Sequence, residues 1–265
     1  MGHEKDAQNA SPDKYLVPGL ERGLSILCEF TRETPALTAP QLAKRIGVPR
    51  ATVYRLLITL EHLGFIKRSE SGHEYRLDLG VMRLGIEYVA SLEITELSQP
   101  ILQRLSDRIN YPSNIAVLDA RTVVYIGRAS PPHSITSPMS IGARLPAHAT
   151  VVGRVLLRDY DLSALRKLYP EAHLERFSDN TPSTVEKLHE LLQRDRQRPY
   201  AIGEGYFEPA FSSVAAPVRD RSGTIVAVLG VTVPSGHIDP ERLDHIVQSA
   251  CQSALELSDL MRYQH

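Results

Sequence analysis

Apolar residues recur along this chain at two different periods, and the switches between them mark out its elements. From Pro18 the run Leu20, Leu24, Ile26, Leu27 and Phe30 repeats at helical spacing and predicts a first helix, with Thr31 to Leu37 as a connecting loop. Thr38-Ala39-Pro40-Gln41 has the form of a capping box. In that motif the Thr hydroxyl and the Gln side chain satisfy free N–H groups at a helix start, and Pro40 suits the first turn. The helix it opens carries Leu42, Ala43 and Ile46 on one side, turns Lys44 and Arg45 towards water, and stops at Gly47. Pro49 to Leu63 then repeats Val53, Leu56, Leu57, Leu60 and Leu63. After Gly64 the period becomes that of strands: Phe65 to Arg68, a polar turn Ser69 to Gly72, then His73 to Leu77 with His73, Tyr75 and Leu77 on one face. Helix, glycine turn, helix and hairpin in this order predict a winged helix-turn-helix over residues 16–78, preceded by a flexible polar arm over residues 1–15.

Beyond the hairpin, Leu79 to Leu92 spreads apolar residues around much of a helix, which therefore wants cover on more than one side. Burial within its own domain and contact with a second subunit both satisfy that pattern. Leu97, Ile101, Leu105 and Ile109 mark another helix, with Pro100 either in its first turn or kinking it. Residues 79–110 are therefore expected to form a helical linker and dimerisation segment. From Tyr111 the texture changes to short strands and turns. Asn114 to Leu118 and Val123 to Gly127 predict one hairpin, and Val214 to Val218 with Thr224 to Val233 a second. Helical spacing recurs at His148 to Leu157, Leu162 to Tyr169 and Val185 to Gln193. A last helix opens at Asp239-Pro240-Glu241. Hairpin strands with helices packed around them make residues 111–265 an α+β domain.

Charge changes the picture for the first domain. The whole chain has net charge −1, yet Lys44, Arg45, Arg50, Arg55, Lys67, Arg68 and Arg76 outnumber Glu61, Glu70 and Glu74 around the helix pair and hairpin. Charge runs of this kind usually only solvate a surface; local positive charge in a near-neutral protein, on this motif, is what phosphate binding requires. The N-terminal half of the second helix meets DNA in such motifs, so Arg50, Thr52, Tyr54 and Arg55 are expected to face double-stranded operator DNA. Gln41 would join them, with Lys67 and Arg68 reaching the backbone from the wing. A polar N-terminus and the lack of any stretch near the roughly 20 apolar residues needed to span a bilayer point to a cytoplasmic protein. Only Cys28 and Cys251 occur, far apart, so neither a disulfide framework nor a cysteine zinc site is encoded.

The chain resembles the IclR family of bacterial transcriptional regulators from about Leu20 to the last helix. The likeness is carried by Leu20-Glu21-Arg22-Gly23-Leu24, by Pro49 to Leu57, by Tyr75-Arg76-Leu77, by Gly142 to Leu157, and by Val214 to Val218 with Gly230-Val231. The resemblance implies a GAF-like effector-binding C-terminal domain and assembly as homodimers or dimers of dimers. It also implies ligand contacts at backbone groups of Val151 and Val152, at an acidic side chain, Glu204, and at a small polar one, Ser213. Where the family has small Gly and Ala in that first helical turn, this chain has Val151 and Val152, which argues against a pyruvate-sized ligand. The aromatic loop Arg198 to Ser213, with Tyr206, Phe207 and Phe211, instead suggests an organic acid bearing a ring, held against the N–H groups of the helix opening at His148.

Rival readings are a hydrolytic enzyme, a metal sensor, or a DNA-architectural protein with a pocketless second half. Ser212 and Ser213 could be nucleophiles with His133, His148, His173 or His189 as bases, but no G-x-S-x-G occurs. There is no phosphate loop, and Gly203-x-Gly205 is an incomplete dinucleotide fingerprint. No H-E-x-x-H or related metal spacing appears, and no cofactor is called for.

Overall fold

In a computed structural model of the chain, residues 16–31, 33–70, 72–91, 93–132 and 140–263 are described, with backbone alone at 86–91 and 263. The expected arm Met1 to Tyr15, the bend residue Ser71, Leu92 and His133 lie outside them. The chain divides into two units, one ending at Val89 and one beginning at Ala90.

The first unit orders its elements as α1 (Pro18–Cys28), β1 (Leu37–Thr38), α2 (Ala39–Ile46), α3 (Arg50–His62), β2 (Ile66–Arg68), β3 (Glu74–Leu77) and α4 (Gly80–Ser91). The capping box forms: Gln41 N donates to Thr38 Oγ1 at 3.4 Å and Thr38 N to Gln41 Oε1 at 2.8 Å. Gly47 closes α2 in the left-handed region, at φ 66°, where only glycine escapes a Cβ penalty. Ile26, Leu37, Leu42, Val53, Leu57, Ile66 and Tyr75 make the core. Two features depart from the sequence reading. Leu37, expected at the end of a loop, and the capping residue Thr38 add a third strand to the hairpin, with Leu37 opposite Tyr75. On α1 only Gly23 and Ile26 are buried, whereas Leu20 and Leu24 stand 63% and 50% exposed. Helical spacing alone cannot tell a face that meets its own core from one that meets nothing in the same chain. Leu79, in the turn before α4, and Met82 and Leu84 on α4 are likewise exposed.

In the second unit, α5 (Glu93–Ile109) leads into β4 (Ser113–Asp119), β5 (Thr122–Ala129) and β6 (Arg144–Pro146). A short 3-10 turn (Ala147–Ala149) precedes α6 (Val151–Leu156), α7 (Leu162–Leu168) and α8 (Val185–Asp195). Then come β7 (Ala201–Glu204), β8 (Ser212–Arg219), β9 (Ile225–Val233) and α9 (Pro240–Tyr263). The six strands form one sheet, ordered β6-β5-β4-β9-β8-β7 and antiparallel throughout. The two expected hairpins are thus its middle, joined where β4 meets β9. α5 and α9 cover one face through Ile101, Leu105, Ile246 and Leu257, and α6, α7 and α8 cover the other through Val152, Val155, Leu165 and Leu188. The helix read as part of the linker, α5, therefore belongs to this core, with Pro100 in its middle rather than its first turn.

Candidate functional sites: a basic helix face and a closed cavity

Helix α3 buries Val53, Leu57 and Leu60, and that anchoring turns Arg50, Tyr54 and Arg55 outward, with Thr52 half-buried beside them. Arg50 and Arg55, like Lys44 and Arg76, have no ion-pair partner among the described residues. The other cations do. Arg45 meets Glu29 at 3.4 Å, Lys67 meets Asp78 at 3.3 Å, and Arg68 meets Glu61 at 3.1 Å. Arg68 also lies over the rings of Tyr54 and Tyr75, with centroid distances of 5.9 and 5.3 Å. It therefore fastens the wing to α3 as well as carrying charge. Gln41 is exposed, but its Oε1 is engaged in the capping box, which leaves its NH2 to reach outward.

In the second unit a cavity opens between α6 and the sheet. Its floor is Tyr125 of β5, Ser213 of β8 and Thr232 of β9, the last two directly opposite each other in register. Thr150, Val151 and Val152 form one wall, and Tyr206, Phe207 and Phe211 close it above. The helix does not open at His148, as the spacing suggested. Thr150 interrupts it in extended conformation and caps α6, its Oγ1 accepting from Gly153 N at 3.0 Å. The amides of Val151 and Val152 thus precede the first intrahelical bond, made by Arg154 N to Thr150 O.

Close approach builds this wall. A side chain on Gly203 would collide with Val151, one on Gly153 with the Ala147 backbone, and one on Gly230 with Asn114. Arg154 then ties α6 to α8, donating Nε to Asp195 Oδ2 at 2.9 Å and Nη2 to Oδ1 at 2.7 Å while stacking on the Tyr206 ring at 4.8 Å. The loop over the cavity is held from outside, where Ser178 and Thr181 hydroxyls donate to Tyr206 O at 2.7 and 2.9 Å. Phe177 packs on Phe207 at 4.9 Å.

Of the residues expected to touch a ligand, Val151, Val152, Phe211 and Ser213 line the cavity. Glu204 does not. Its carboxylate accepts from Ile238 N at 2.9 Å and faces His237 Nδ1 at 2.7 Å, and the backbone N–H of Ile238 holds its pKa below the ordinary carboxylate value. The sequence reading missed Tyr125 and Thr232. Burial pushes the Tyr125 phenol upward and keeps it neutral, and no partner for its hydroxyl is found among the described residues. Thr232 Oγ1 faces the Asn114 side-chain amide at 3.3 Å, and the other amide atom of Asn114 is buried without a partner. Alternation within β5 and β9 could have placed these side chains on the α6 face, but not beneath a helix start. The space open in the cavity is about 50 Å³. That admits a few waters, well short of the roughly 300 Å³ at the lower end of small-molecule sites.

Two of the candidates for catalysis, Ser212 and His148, are engaged separately: Ser212 Oγ donates to Ser235 O at 2.8 Å, and the His148 ring meets Glu175 O at 2.8 Å. Among the described residues no three His, Cys, Asp or Glu side chains gather as a metal site, and no helix is long and apolar enough to cross a membrane.

A helix-turn-helix with an unpaired basic face in one unit, and a cavity under a helix start in the other, define a DNA-binding regulator under effector control. Residues 19–70 match the IclR helix-turn-helix domain and residues 86–259 the bacterial transcriptional regulator IclR C-terminal domain, so the chain belongs to the IclR family. It is 32% identical to the Pca regulon regulatory protein of Pseudomonas putida, over 91% of this chain and 82% of that one. It is 28% identical to the p-hydroxybenzoate hydroxylase transcriptional activator of Acinetobacter baylyi, over 98% and 97%. The crystal structure of an IclR transcriptional regulator from Alicyclobacillus acidocaldarius superposes with a TM-score of 0.81 at 25% identity, covering 92% of this chain and 99% of that one. These relatives carry the names of transcriptional regulators, not of enzymes.

Proposed function

We propose that the effector is a hydroxylated aromatic carboxylic acid bound in the cavity between α6 and the sheet. The observation that carries this reading is the cavity's chemistry: free amides at Val151 and Val152, hydroxyls of Tyr125, Ser213 and Thr232, and Phe207 and Phe211 overhead. Amides and hydroxyls serve a carboxylate at one end and a ring hydroxyl at the other, while the two Phe rings cover the ring between them. The names of the relatives, one of them a p-hydroxybenzoate hydroxylase transcriptional activator, agree with that class. Because the cavity is nearly shut, binding requires the loop from Gly205 to Phe211 to lift. Glu204 serves to hold the loop before α9 and makes no ligand contact.

Calorimetry with 4-hydroxybenzoate, benzoate and pyruvate tests this. The hydroxylated ring should bind tightest, and Tyr125→Phe and Ser213→Ala should each weaken it about five- to tenfold, the range of a hydrogen bond worth about 1–1.5 kcal/mol. Equal affinity for all three acids, or unaltered affinity in both variants, would place the effector elsewhere.

At DNA, Arg50, Thr52, Tyr54 and Arg55 read and grip the operator, with Gln41 NH2 beside them and Lys67 and Arg68 at the wing. Two copies bind together in the cytoplasm, and effector units pair such dimers. The exposed Leu20 and Leu24 on α1, Leu79 just before α4, and Met82 and Leu84 on α4 supply apolar surface for the partner copy. Light scattering of Leu20→Glu/Met82→Glu should show monomers; an unchanged mass would refute this pairing.

A further inference from the structure

A cleft of about 460 Å³ lies between the outer end of β8 and helix α9, and shares no residue with the effector cavity. β7 pairs with β8 only as far as Ala215, so among the described residues Ala216 to Arg219 have no outer strand partner. The cleft's sides are apolar, formed by Pro217, Ala254 and Leu255, and Leu255 is 58% exposed. Three arginines enter it. Two have their own acids: Arg219 meets Asp159 at 2.7 Å and Arg262 meets Asp259 at 3.2 Å.

Arg158 has none among the described residues. It is 5% exposed, its Nε is buried without a hydrogen-bond partner among them, and its Nη2 donates to the neutral Tyr200 O at 3.1 Å. Asp195, the acid nearest in influence, is already engaged bidentately by Arg154. Buried charges are ordinarily paired, since a desolvated cation without a counter-charge is costly. The surroundings thus lack one negative charge, at the bottom of an apolar cleft.

We propose that this cleft is a second ligand site, taking an amphipathic organic anion whose single carboxylate pairs with Arg158 and whose aliphatic body lies along Pro217 and Leu255. The recess favours a slender headgroup over a protein surface, because a guanidinium at 5% exposure is out of reach of a flat partner. The single missing charge favours a monoanion. Arg158 also holds the carbonyl of Tyr200, the residue before β7, and β7 carries Gly203 into the wall of the effector cavity. A ligand here therefore sits at one end of the strand whose other end borders the first site.

The test is calorimetry of octanoate and octan-1-ol against the full chain, alone and saturated with 4-hydroxybenzoate. Octanoate should bind saturably at one site per protomer, without competition from 4-hydroxybenzoate, and octan-1-ol at least tenfold more weakly. Arg158→Met removes the charge and keeps an apolar stem, and Leu255→Asp puts a like charge at the exposed mouth. Each should weaken octanoate tenfold or more. The absence of saturable octanoate binding, equal binding in both variants, or competition by 4-hydroxybenzoate would overturn the proposal. So would an Arg158→Met protein that changes its mass in light scattering while octanoate binds neither form, since the cleft would then be a contact between copies. Should Arg158→Met not fold, Leu255→Asp decides alone.

Discussion

The division of the cations around α3 into paired and unpaired makes a quantitative prediction for DNA binding. Lys44, Arg50, Arg55 and Arg76 are exposed and have no acid partner among the described residues, whereas Arg45, Lys67 and Arg68 do. A cation that neutralises a phosphate releases counterions and contributes about 0.9 to the slope of log K against log salt. With all four unpaired cations on phosphate in each of two protomers, the slope is about −7, and affinity falls about 10⁴-fold between 50 and 200 mM salt. Arg55→Ala removes one contact per protomer, bringing the slope to about −5.4, so the same salt step costs only about 10³-fold. Lys67→Ala and Arg68→Ala should change the slope by less than half as much, because an acid already offsets each charge. Fluorescence anisotropy of a labelled operator at several KCl concentrations reads these slopes directly. An unchanged slope in Arg55→Ala, alongside a drop of about two units in Lys67→Ala, would show that the wing rather than α3 meets phosphate.

Other perturbations probe the supports of the two sites. Asp195→Ala strands the buried Arg154 guanidinium and should cost about 3–5 kcal/mol, a fall of roughly 6–20 °C in the melting midpoint. The apolar double variant Arg154→Met/Asp195→Leu should recover most of it, and calorimetric melting distinguishes the two. Thr38→Ala breaks the capping box and should cost about 1 kcal/mol, measured by urea unfolding followed through the helical signal; no change would mean the cap is idle. Glu204 has a depressed pKa, so its contribution to stability is complete above the unfolded value near 4 and is lost as pH falls through the folded one. The gap in melting midpoint between wild type and Glu204→Gln should therefore be full above the unfolded value and shrink as pH falls below it, and a gap that does not shrink under acid would contradict the assignment.

The N-terminal unit was legible in sequence because its signals are local. A capping box, a glycine at positive φ and the Val53, Leu57 and Leu60 stripe of α3 each act within a few residues, and each appears where the spacing put it. The hairpins of the C-terminal unit were legible for the same reason. What the sequence did not disclose depends on distant pairing. The short strand at Leu37 exists only because Tyr75 lies opposite it, and α5 joins the second core through β5 and through α9, the last helix of the chain. The residues that line the cavity show the same division. Val151, Val152, Phe211 and Ser213 belong to stretches whose character is visible nearby, whereas Tyr125 and Thr232 reach the cavity through sheet order. Glu204 is drawn away from it by the backbone of Ile238, a partner no local pattern announces.

Thr38 is at once the last residue of β1 and the N-cap of α2, so strand β1 passes into the helix pair through a single shared residue. No slack separates them. A one-residue insertion there would have to break either the pairing with Glu74 or the cap at Gln41, since strand alternation and cap position cannot both shift by one. This junction should therefore resist length changes through divergence even where its side chains vary. New operator preferences would then arise by replacing side chains on α3 rather than by re-aiming the helix.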